Sequence, residues 1–120
     1  MGKTLITRGI AQGLGIPAGQ VSSPTFSLIQ AYENHIPVVH VDLYRLENST
    51  AIFQLGLEDY FIPKNIVIIE WADRFIQVLP PDYLHIHLEH GKTETTRSIT
   101  MRATGPRSTA IVSALRCYTA

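Results

Sequence analysis

Gly2-Lys3-Thr4 opens a stretch in which Ile6, Ile10 and Leu14 recur every four residues, the spacing of one helix face. Gly-Lys-Thr at the start of a helix is the last third of a phosphate-binding loop. In such a loop the lysine reaches the β- and γ-phosphates, the threonine hydroxyl binds Mg²⁺, and free amides of the first helical turn hold phosphate oxygens. The bare tripeptide is equally the ordinary start of a helix. A second signal stands at Glu70-Trp71, directly after the apolar run Ile66 to Ile69. A carboxylate at the end of a buried strand is where phosphate-loop enzymes put the acid that holds Mg²⁺ or aims the attacking water. It also serves as a plain exit into solvent.

The third signal is His40-Val41-Asp42-Leu43-Tyr44-Arg45. With a two-residue period, His40, Asp42 and Tyr44 share one face while Val39, Val41 and Leu43 share the other. A merely half-exposed strand more often carries Thr, Lys, Glu or Ser on its polar face. A grouped His, Asp and Tyr can hydrogen-bond, titrate and order a water beside a phosphate.

The elements that must position these residues follow from pattern. A helix is expected from Lys3 to Leu14, stopped by Gly15 and Pro17. Ser22-Ser23-Pro24-Thr25 reads as a loop, because a residue before proline is pushed out of the helical region. Phe26 to Tyr32 and Val38 to Leu43 read as strands joined by a turn near Asn34. A short helix is expected from about Thr50 to Tyr60. Ile66 to Ile69, continuously apolar and β-branched, reads as a strand buried on both faces. Tyr83 to Glu89 and Ser98 to Ala103 read as a hairpin around Gly91, and Ser108 to Tyr118 as a tail helix capped by Ser108. Helices alternating with buried and half-buried strands predict a mixed-sheet α/β domain.

The 120 residues allow one domain, 1–120, with one core. Ten Lys and Arg balance ten Asp and Glu, so the formal net charge is zero. That argues against autonomous binding of a nucleic-acid backbone, which needs a basic excess. The single cysteine, Cys117, cannot close an internal disulfide, and no apolar run approaches a membrane span. A cytoplasmic protein without membrane attachment is expected.

Gly2-Lys3-Thr4, Ser23-Pro24-Thr25-Phe26, His40-x-Asp42-x-Tyr44-Arg45, Leu57-Glu58-Asp59-Tyr60 and Glu70-Trp71 stand in the order and approximate spacing of TsaE proteins. The chain resembles that family from Gly2 to about Arg97. The resemblance implies a P-loop NTPase-like mixed sheet flanked by helices, with Mg²⁺-dependent ATP binding and slow hydrolysis. It also implies association with the TsaD and TsaB proteins, which install threonylcarbamoyl on an adenosine beside the tRNA anticodon; tRNA would be met only through that complex. By position, Gly2 and Lys3 would contact phosphate, Thr4 and Glu70 would hold the metal, and Thr25 would sit in a switch-like loop. Asp42 would lie near the γ-phosphate, and Asp42 and Glu70 would be the catalytic residues. Arg45 and Trp71 would be neighbours, and Arg97 would approach the nucleotide from the hairpin. Family members carry roughly thirty more residues before this point. The first strand and most of the phosphate-binding loop are therefore expected to be missing from residues 1–120, which alone are expected to hold Mg²⁺-ATP weakly.

Two rival functions remain open from sequence. A small-molecule kinase could use Gly-Lys-Thr, Asp42 and Arg45, although no arginine-rich lid segment is visible. A non-catalytic interaction module would keep the partner surface without the nucleotide. His85-x-His87 with His90 has metal-like spacing, but it also forms the polar face of an alternating strand and lacks a completing cysteine or carboxylate pair. Cys117 has no neighbouring base to activate it.

Overall fold

The computed structural model describes residues 3–17, 29–43 and 55–119, which fall into two compact units, Gly2–Val78 and Leu79–Ala120. In the first unit, helix α1 spans Lys3–Gly13. Strands β1 (Ile29–Tyr32), β2 (Val38–Asp42) and β3 (Ile66–Glu70) form a sheet in that order. β2 pairs antiparallel with β1 and parallel with β3. The turn between β1 and β2 is held by Asn34, whose Nδ2 donates to the carbonyls of Leu14 at 2.7 Å and Ile36 at 3.1 Å. Gly15, at φ +100°, supplies the left-handed residue that ends α1.

Two apolar layers sandwich this sheet. On one face Val39, Val41, Leu43, Leu57 and Phe75 are buried, with Val67 and Ile69 packed against them. Each such side chain contributes roughly 1.5–3 kcal/mol on burial. On the other face Ala11 and Ile16 pack with Val38, Ile66 and Ile68. The centre of the α1 contact is Thr7 and Ala11, at 2% and 1% exposure. The expected Ile6, Ile10 and Leu14 stripe is only half-buried. Small residues let the helix approach the sheet, and the larger ones flank it.

The burial of the strands differs from expectation. β2 is the covered one, its first four residues all buried. β3 is half-buried over Ile66 to Ile69, because among the described strands it pairs only on its β2 side. Of the expected helix near Thr50 to Tyr60, the described part comprises Leu55, which is helical, and a short 3₁₀ turn at Leu57–Tyr60; residues 50–54 lie outside the described residues. A second 3₁₀ stretch, Ala72–Val78, is broken at Phe75.

In the second unit, β4 (Leu84–His90) and β5 (Arg97–Ala103) form an antiparallel hairpin followed by α2 (Pro106–Thr119). Ser108 does not cap the helix from outside. The helix begins at Pro106, whose fixed φ suits the first turn. The cap comes from Asp82, which accepts from the backbone N–H groups of Arg107 (2.8 Å) and Ser108 (3.1 Å) and from the Ser108 hydroxyl (2.6 Å). Gly105 is required there, since a Cβ would fall 2.4 Å from the Asp82 carboxyl carbon. Among the described residues, no helix is long and apolar enough to cross a membrane.

Candidate functional site

The parallel register of β2 and β3 aligns Val41 with Ile69 and Asp42 with Glu70. Partners in register project to the same side, so Asp42 and Glu70 occupy neighbouring positions on strands whose backbones run about 4.8 Å apart. Both lie where the strands end, and in open α/β sheets that carboxyl edge is where ligands bind. The Leu43 N–H donates to the Glu70 carbonyl at 3.1 Å and extends the ladder to this point. His40, one pleat back on the same face, meets Glu70 through Nε2 and Oε2 at 2.5 Å. His40 is fully buried and Glu70 is 8% exposed.

The chain turns abruptly after Glu70. Trp71 takes φ +64°, the left-handed region that a bulky side chain rarely adopts. Such a conformation costs on the order of 1–3 kcal/mol and persists only where surrounding structure imposes it, commonly at functional sites. The same face carries α1, whose C-terminal end packs over Val38 and Ile66, where the strands begin. Eleven residues of helix extend about 16 Å from there to Lys3.

Two adjacent carboxylates repel one another unless a cation or a proton intervenes. Mg²⁺ commonly takes one or two carboxylates from protein and completes its shell with phosphate and water oxygens. Asp42 and Glu70 fit that donor set. No cluster of three or more His, Cys, Asp or Glu able to hold a metal occurs among the described residues, so a cation here would need such outside oxygens.

Lys3 and Thr4 begin α1, with side chains outside the described residues. Gly2, Thr25, Tyr44 and Arg45 also lie outside the described residues, as do Ser23, Pro24 and Phe26. Arg97 starts β5 in the second unit, where its guanidinium donates to the carbonyls of Glu94 (2.9 Å) and Thr96 (2.8 Å). His87 pairs with Glu89 at 2.9 Å on the exposed face of the hairpin. The backbone of Cys117 lies in α2, while its side chain is outside the described residues. A surface depression of about 260 Å³ beside Tyr32, Asn34, Val38 and Tyr60 lies where β2 begins, at the opposite end from the carboxylates. The partnership of His40 with Glu70 is the feature that pattern reading missed. The alternation grouped His40 with Asp42, but nothing local to either strand shows that the two pair in parallel.

A sheet with parallel strands, a helix laid on one face and acidic residues at the carboxyl edge defines a mixed α/β protein of the P-loop type. The crystal structure of Bacillus subtilis YdiB shares this fold, with a TM-score of 0.77 and 30% identity over 99% of this chain and 72% of that one. The profile of the family described as threonylcarbamoyl adenosine biosynthesis protein TsaE matches residues 1–99. Relatives named tRNA threonylcarbamoyladenosine biosynthesis protein TsaE include one from Bacillus subtilis, 38% identical over 88% of this chain and 65% of its own length. One from Nostoc is 41% identical over 75% of this chain and 57% of its own. Another from Streptomyces coelicolor is 32% identical over 95% and 81%. The chain belongs to the TsaE family, and it spans 65% of the Bacillus subtilis relative and 57% of the Nostoc one.

Proposed function

We propose that this chain carries the ATP-binding and hydrolysing site of a TsaE protein, serving threonylcarbamoyladenosine modification of tRNA in the cytoplasm together with TsaD and TsaB. The observation that carries the reading is the register of Asp42 against Glu70 at the carboxyl edge of β2 and β3. It is supported by the sequence Gly2-Lys3-Thr4, of which Lys3 and Thr4 begin α1, and by membership of the family.

In this reading Lys3 and the first amides of α1 hold the phosphates, where a helix N-terminus favours negative charge. Thr4 and Glu70 hold Mg²⁺, which when bound neutralises charge on the phosphate oxygens. Asp42 stands beside Glu70 and orders the attacking water by accepting its hydrogen bond. Thr25 and Arg97 would approach the nucleotide from their own segments.

The test is ATP hydrolysis by the full-length protein with Mg²⁺ and with excess chelator. Turnover that needs Mg²⁺ is expected. Absence of both binding and turnover would leave the interaction-module alternative standing.

A further inference from the structure

We propose that His40 is a positioning residue for Glu70: its Nε2–H pins one carboxylate oxygen so that the other is presented to Mg²⁺ or its water. This rests on the ATPase reading of Glu70 given above. The last torsion of a glutamate side chain is broad and roughly two-fold, so a carboxylate at a strand end has no intrinsic orientation. Two features remove that freedom here. The left-handed turn at Trp71 fixes the backbone just beyond Glu70. The 2.5 Å contact from His40 Nε2 fixes Oε2. A carboxylate can only accept, so Nε2 carries the proton in this contact.

The environment of His40 argues against a role in packing alone. The ring is fully buried in the strand face that also carries Val38, Ile66 and Ile68. Its Nδ1 is buried with no hydrogen-bond partner among the described residues. Leaving a buried ring nitrogen unmet is unfavourable, and an aliphatic residue in that layer would avoid it. The position therefore bears a cost that the Nε2 contact with Glu70 accounts for. Hydrogen-bond partners of metal-ligating side chains typically change metal affinity or activity 10–100-fold when removed.

Two substitutions in the full-length protein separate positioning from packing. His40→Ala removes the donor, while His40→Gln places an amide N–H near the position of Nε2. In His40→Ala we expect kcat to fall about 10–100-fold, with the KM for ATP changed little and more Mg²⁺ needed for half-maximal nucleotide binding. His40→Gln should recover most of the kcat and of the Mg²⁺ response. Folded His40→Ala with full kcat, or folded His40→Gln no better than His40→Ala, overturns the proposal. Should His40→Ala fail to fold, the His40→Gln result and nitrogen-15 imidazole spectra of the unsubstituted protein decide. The spectra should report His40 protonated at Nε2, with the Nε2–H signal displaced in Glu70→Ala; protonation at Nδ1 alone overturns the proposal. If the unsubstituted protein hydrolyses no ATP, the ATPase reading is what fails. The imidazole spectra then still report whether His40 holds Glu70.

Discussion

Asp42 and Glu70 are placed by strand register, and their proximity has a measurable consequence without any nucleotide. Two neighbouring carboxylates favour a cation between them, and a ligand that binds only the native state stabilises it. At ten times its dissociation constant Mg²⁺ would add about 1.4 kcal/mol. Millimolar Mg²⁺ should therefore raise the thermal midpoint of the native protein by a few degrees and that of Glu70→Gln by distinctly less. Equal shifts in both would remove the metal from this edge. On the other face, Leu43 is fully buried among Val41, Leu57 and Phe75. Leu43→Ala should cost about 2–5 kcal/mol in denaturant unfolding, through lost transfer energy and an unfilled cavity. A loss under 1 kcal/mol would mean that the layer closes over the gap.

At the scale of elements, α2 shows how a helix start can be anchored by a residue far back in the chain. The Ser108 hydroxyl, and then the N–H groups of Arg107 and Ser108, hold the Asp82 carboxyl below the usual carboxylate range. A carboxyl whose folded value is depressed contributes stability above its unfolded value and loses it as pH falls through the folded one. Helix α2 should thus weaken on acidification from about pH 4 downward, and Asp82→Asn should flatten that dependence. Far-ultraviolet dichroism across the acid limb checks it; identical slopes in the two proteins would exclude the cap. Much of this architecture was legible from residue pattern. The fourfold spacing of Ile6, Ile10 and Leu14, ended by Gly15, marks α1, and the alternation from Val38 to Leu43 marks β2. Non-local pairing was not legible. Whether β2 or β3 lies inside the sheet depends on strand order, and the Asp82 cap joins groups 25 and 26 residues apart. Likewise Asp42 and Glu70 each stood out as acids, but only the parallel register makes them a pair.

For the whole molecule, the balance of ten basic and ten acidic residues bears on partners. Affinity for a nucleic-acid backbone comes mainly from cations that displace its counterions, and a neutral chain has no surplus to offer. The isolated chain should bind tRNA weakly at physiological salt while associating with TsaB and TsaD, which pull-down and filter binding in one buffer would compare. Tight tRNA binding by the chain alone would contradict this. The central claim is that the carboxyl edge of β2 and β3 performs Mg²⁺-dependent ATP hydrolysis. Its most direct test is to measure ATP affinity by calorimetry and turnover at saturating Mg²⁺-ATP in the full-length protein, beside Glu70→Gln and Asp42→Asn. Both substitutions keep shape and remove a charge. Turnover should fall on the order of 100-fold or more in each, with ATP affinity changed only a few-fold, since a group acting on metal and water lowers kcat before it lowers binding. Near-normal turnover in both variants would contradict the account.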